Sequence, residues 1–188
     1  MRLSLLVLVL AIIAFAAAAA TPDETLRTLL NVSFPAPDRI ASGRLRAGDL
    51  PALQSAGVRT VIDLSVDSET PDFDEAAAMQ RAGIAYHNLP IHGAGDLDAV
   101  HVARFDRLLA DAGTSRTLVH CASSNRVGAM IALRAATIQG QSIEAALAEG
   151  RRWGLKSLAP AVRERLAAWA ATQRALATPP RTDSGGSD

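Results

Sequence analysis

A single cysteine, Cys121, occurs among 188 residues, which excludes an intrachain disulfide and a cysteine-rich metal site. Charge of one sign is lacking as well: 19 Lys and Arg balance 19 Asp and Glu, with no block of like charge. That argues against a nucleic-acid-binding face, so no nucleic acid is expected as a partner. The histidines His87, His92 and His101 have no common ligand spacing and no second cysteine to join them. No metal and no cofactor are therefore expected. Internal repeats are missing, and no apolar run after residue 20 approaches the length of a bilayer span.

What is present begins with Arg2, an apolar run over 3–15 and alanines up to Thr21, the order of charge, apolar stretch and small residues in a secretory signal peptide. Cleavage after Ala20 is expected, making 1–20 a leader that directs export, to the periplasm. A membrane anchor is the competing reading, since 3–20 is barely long enough to cross a bilayer. Subtracting 20 from 188 residues leaves 168, enough for one domain with a full core. The expected product is a monomer with no stable membrane association once the leader is removed. A lone thiol in an exported protein is either inert in the core or reactive.

Residues 21–37 read as a lead-in with a short helical stretch, and Pro35 and Pro37 force extended chain after it. From about Arg39, apolar runs alternate with helical periods, the pattern of a sheet with crossover helices. Strands are expected at 59–64, 84–90 and 116–120. Helices are expected at 49–56, 72–82 and 97–112, started by Asp49, Asp72 and Asp96 and ended by Gly57, Gly83 and Gly113. Three more follow at 126–139, 142–152 and 160–175. The domain is placed at 38–176, and 177–188, rich in Pro, Ser and Gly, reads as a disordered tail. The fold class is α/β, with a central mostly parallel sheet flanked by helices.

The chemistry lies in Thr117-Leu118-Val119-His120-Cys121-Ala122-Ser123-Ser124-Asn125-Arg126-Val127-Gly128. An apolar strand runs into small polar residues and then into a helix, so N–H groups of the loop and first turn form a concave anion site at the positive end of the helix dipole. The same field and the Arg126 charge favour the Cys121 thiolate, the nucleophilic form. Arg126 can bind two oxygens of an oxyanion side by side and stabilise transition-state charge. Ser123 or Ser124 is a candidate donor to the thiolate. A lone cysteine is most often buried and inert; here strand, His-Cys, small loop, Arg and helix occur in order.

Val119-His120-Cys121 followed by Arg126-Val127-Gly128-Ala129 resembles the phosphate loop of the protein tyrosine and dual-specificity phosphatases. Ala41-Ser42-Gly43-Arg44-Leu45, residues 53–64 and Tyr86-His87-Asn88-Leu89-Pro90-Ile91 resemble the bacterial branch that includes the phosphatase-like domain of beta-lactamase hydrolase-like proteins. The resemblance implies a cysteine-phosphatase-like fold and a phosphorylated substrate or other oxyanion as partner. Cys121 would form a phosphocysteine, Arg126 would clamp the phosphate, and His120 would tune the thiol. Ala122, Ser123, Ser124, Asn125, Val127 and Gly128 would line the bound group. The family's general acid falls in His92-Gly93-Ala94-Gly95-Asp96-Leu97-Asp98, where Asp96 comes first, Asp98 second and His92 serves as an alternative.

Two departures carry chemical weight. Four residues separate Cys121 from Arg126 where these phosphatases place five, and four is the length in many rhodanese-like sulfurtransferases. Val127 stands where a serine or threonine usually helps the thiolate leave. Phosphomonoester hydrolysis is the first reading, sulfur transfer through a Cys121 persulfide the second, and a phosphate-sensing pseudoenzyme the third. Asp67 and Glu69 fall where open α/β sheets place ligands, although solvated loop charge is their simpler role. Arg151-Arg152-Trp153 reads as packing with exposed charge, and Trp169 as core.

Overall fold

The computed structural model describes residues 21–177; the expected leader over 1–20 and the expected tail from 178 onward lie outside the described residues. Five strands form one sheet: β1 (Ser33–Ala36), β2 (Arg39–Ser42), β3 (Thr60–Asp63), β4 (Ala85–Asn88) and β5 (Thr117–His120). Their order is β1-β2-β5-β3-β4. Only β1 runs antiparallel, to β2, and the other pairs are parallel. The α/β class and the mostly parallel sheet are as the alternating pattern implied.

Period-two alternation sorts the core onto two faces. Ile40, Val61 and Leu118 enter one cluster with Leu26, Leu53 and Met79, which belong to α1 (Pro22–Leu26), α2 (Leu50–Ser55) and α3 (Glu75–Arg81). Their chain neighbours Ala41, Ile62 and Val119 enter the other. That second face is covered by α4 (Ala99–Asp111), α5 (Asn125–Thr137), α6 (Ile143–Arg152) and α7 (Ala159–Ala177). Phe105 on α4 is fully buried there, worth about 1.5–3 kcal/mol in burial alone.

Three expectations need correction. The domain does not begin near Arg39, because β1 is an edge strand of the sheet and Leu26 and Leu29 sit in the core. The short apolar stretches flanked by Pro35 and Pro37 gave too few residues of alternation to mark β1 and β2 as strands. Asp74 rather than Asp72 caps α3, accepting from Ala77 N at 2.9 Å, and Asp98 rather than Asp96 caps α4, accepting from His101 N at 2.8 Å. In each segment two nearby aspartates can cap, and packing of the helix decides which one stands at the turn. Gly57, Gly83 and Gly113 do follow α2, α3 and α4 with positive φ, the left-handed position that favours glycine.

Helix α5 packs closely on α6 through two glycines. A Cβ on Gly128 would stand 2.5 Å from the Gly150 carbonyl oxygen and inside contact distance of Leu155 N, and a Cβ on Gly150 would meet Gly128 O. Backbone on both sides leaves no flexible atom to move aside. Gly128→Ala is expected to lower the melting temperature, by on the order of 2–3 kcal/mol of stability. Gly95→Ala, with open space around it, is the neutral control in the same thermal melt.

Candidate active site

Strand β5 ends at His120, and the next residue, Cys121, is buried among the residues of the α4–α7 face. Since side chains alternate along a strand, His120 points to the opposite face, toward α3. The chain then turns through Ala122, Ser123 and Ser124 into α5. Ser124 makes the turn with φ of 66°, a left-handed conformation uncommon outside glycine and costly unless the surroundings hold it.

Those surroundings come from the N-terminal segment and from the end of α6. Asn31 O accepts from Ser124 Oγ at 3.2 Å, Asn31 Nδ2 donates to Ser123 O at 3.5 Å, and Arg44 N donates to Ala122 O at 3.3 Å. Gly43 forms a bridge with Ser123 and donates its N–H to Leu30 O at 2.5 Å. Gly154, with φ of 99°, lies so near that a Cβ there would strike the Ser124 side chain. Two loop carbonyls, Ala122 O and Ser123 O, are thereby bound to donors outside the loop.

The loop residues expected to line a bound group divide by role. Asn125 Nδ2 donates to Ser157 Oγ at 2.7 Å, while its Oδ1 accepts from Lys156 N at 2.8 Å and Leu158 N at 3.3 Å. Its side chain therefore ties down the α6–α7 connection. Val127 is fully buried core, and no hydroxyl is at hand in its place. Gly128 N already donates to Ser124 O at 3.0 Å, so Gly128 is not an oxyanion donor and serves helix packing. That bond is the first of the helix, which leaves the amides of Asn125, Arg126 and Val127 without intrahelical acceptors. The Ser124 hydroxyl, bound to Asn31, is turned away from the role of donor to a thiolate.

Arg126 is 8% exposed, and its guanidinium is held on three sides. One nitrogen donates to Ile91 O at 2.6 Å and more weakly to Leu64 O at 3.4 Å; the other donates to Glu69 Oε2 at 2.5 Å. Burial works against its charge, but the hydrogen bond to Glu69 and the charge of Cys121 outweigh it and raise the pKa above the ordinary guanidinium value. Cys121 and Arg126 thus meet in one place. Glu69 is therefore no solvated loop charge but the partner of Arg126. Its only advance signal was its place after β3, at the end of the sheet where ligands bind.

The loop carrying the candidate acids follows β4. Asp96 Oδ2 accepts from His92 N at 2.7 Å and lies 2.8 Å from His92 Nδ1. The backbone N–H of His92, then its ring, lower the Asp96 pKa below the usual carboxylate value. Asp98 is occupied as the cap of α4 and touches His101 Nδ1 at 3.0 Å. His92 follows Ile91, whose carbonyl binds Arg126, so the His92–Asp96 pair stands at the rim of the same site. Arg152 and Trp153 are held by Glu149, at 2.8 Å in each case, and have the packing role expected of them.

No protein-family model matches the chain, and no curated protein matches it. Solved structures do match in fold. A DUF442 protein from Shewanella putrefaciens CN-32 is 23% identical with a TM-score of 0.60, over 78% of this chain and 97% of its own. Kinase associated phosphatase, with serine in place of its catalytic-site cysteine, is 16% identical with a TM-score of 0.63, over 79% and 98%. TpbA from P. aeruginosa in complex with pTyr is 23% identical with a TM-score of 0.56, over 81% and 94%. The chain has the fold of the tyrosine and dual-specificity phosphatases.

Arg126→Lys keeps a positive charge but removes the fork that reaches Glu69 and Ile91 and that could bind two oxygens of an oxyanion. Calorimetric titration with inorganic phosphate is expected to show binding weakened at least about tenfold, or roughly 1.4 kcal/mol.

Proposed function

We propose that the chain is an exported cysteine-dependent phosphatase that hydrolyses a phosphomonoester through a Cys121 phosphocysteine. The observation that carries this reading is the meeting of Cys121 with a buried, oriented Arg126 beneath the free amides of the α5 N-terminus. The phosphoryl oxygens lie against those amides and the guanidinium, and the Cys121 thiolate attacks phosphorus in line with the leaving oxygen. The P–O bond to the leaving group breaks as the S–P bond forms. A proton from the His92–Asp96 pair, with Asp96 as the first choice, neutralises the leaving oxygen. Water then attacks the phosphocysteine, releasing phosphate and restoring the thiolate. His120 acts through the backbone it shares with Cys121, since their side chains face opposite sides of the sheet. The substrate class includes protein phosphotyrosine, the group bound by TpbA. No helix among the described residues is long and apolar enough to cross a membrane.

A second reading, sulfur transfer through a Cys121 persulfide, is favoured by the four-residue spacing to Arg126 and by the core position of Val127. Parallel assays separate the two: phosphate release from an aryl phosphate, and thiocyanate formation from thiosulfate and cyanide. Phosphate release abolished in Cys121→Ser is the expected result; thiocyanate formation alone assigns the persulfide chemistry instead.

Asp96→Asn and His92→Gln identify the proton donor. With a poor leaving group, the variant lacking the donor is expected to lose about 10²- to 10⁴-fold in kcat, and much less with p-nitrophenyl phosphate, whose leaving group needs little protonation. Because the Asp96 pKa is lowered in the free protein, its contact with His92 favours the folded state above the unfolded aspartate pKa of about 3.9 and fades as pH falls through the lower folded value.

A further inference from the structure

Behind the phosphate loop, on the α3 face of the sheet, lies a second cluster of titratable groups. Asp63 at the end of β3, Glu75 at the start of α3 and His120 at the end of β5 each offer a ligand atom, all within 4.8 Å of one another. All three are buried, His120 completely. His120 Nε2 lies 2.8 Å from Glu75 Oε1 and 3.4 Å from Asp63 Oδ1. Despite that proximity, neither Glu75 oxygen and neither His120 nitrogen makes a hydrogen bond of acceptable geometry. Buried polar atoms left in this state are costly, and two buried carboxylates beside a single imidazole call for a counter-charge.

We propose that Asp63, Glu75 and His120 form a binding site for a divalent first-row metal ion. The two separations from His120 Nε2, 2.8 Å to Glu75 Oε1 and 3.4 Å to Asp63 Oδ1, suit it: ligand atoms bonded to one cation at about 2.0–2.2 Å stand roughly 3 Å apart, and imidazole with carboxylates suits ions such as Zn²⁺ or Mn²⁺. Asp63 is oriented as a metal-ligating carboxylate usually is, by donors of an outer shell. Ser65 N donates to its Oδ1 at 2.7 Å, while Tyr86 Oη at 2.9 Å and Asn88 Nδ2 at 3.3 Å donate to its Oδ2. An approach exists through a recess of about 380 Å³ in which Asp63, Asp67, Asp74 and Glu75 all take part, with no basic side chain among its lining residues. Water entering by the recess completes the coordination.

The test is calorimetric and electron paramagnetic titration of the metal-stripped chain with Mn²⁺, in the wild type, Cys121→Ser and Glu75→Gln. Expected are one ion per chain, unchanged binding in Cys121→Ser, and at least about a tenfold loss in Glu75→Gln. Mn²⁺ prefers oxygen and imidazole over thiolate, and the Cys121→Ser arm excludes the nearby thiol as a ligand. Failure of the wild type to bind at about 1 mM overturns the proposal even if Glu75→Gln does not fold. Binding that is lost with Cys121 or kept without Glu75 overturns it too. None of these readouts depends on turnover, so they stand apart from the phosphatase assignment.

Discussion

A buried guanidinium is tolerable only where its charge is answered and its five N–H donors have acceptors, and Arg126 imposes that constraint on the site. Its acceptors are main-chain carbonyls at the ends of the runs containing β3 and β4, plus the carboxylate of Glu69. The arginine therefore ties the turn of the β5–α5 connection to two other segments, the loop after β3 and the loop after β4. In the proposed function, an anion held by the loop amides would meet a cation already fixed in place, with little reorganisation left to perform.

The turn itself is kept open by a second set of contacts. Left-handed Ser124 is a strained choice, and Asn31 and Gly154 close on it while Gly43 bridges its neighbour Ser123, so that the turn has little room to relax. Gly43 makes room for Leu30, and Gly128 and Gly150 let α5 and α6 approach until backbone meets backbone. Compactness behind the loop fits its short length: with four residues between Cys121 and Arg126, the arginine enters on the first turn of α5 rather than reaching back from further along it.

Much of the architecture was legible from pattern. The strands at 59–64, 84–90 and 116–120 contain β3, β4 and β5, since apolar runs bounded by Gly and polar turns are strong local signals. Strands β1 and β2 escaped because each has only four residues, and β1 holds Pro35 within it. At the site, Cys121, Arg126 and the loop between them could be read from their order along one short segment. Roles within the loop could not: Asn125 and Gly128 turn to packing partners far along the chain, at Ser157 and Gly150.

Sequence by itself determined the local unit of strand, cysteine, tight turn and helix, because its parts lie within about a dozen consecutive residues and follow from backbone chemistry alone. Only the tertiary structure decided what surrounds that unit. Glu69 reaches Arg126 across 57 residues and Asn31 reaches the loop across 92; Glu75 comes to His120 only when α3 packs on the sheet. Such contacts have no local signature, since a carboxylate in a polar loop reads the same whether it faces water or a buried cation, and only packing of the chain removes the water and selects its partner.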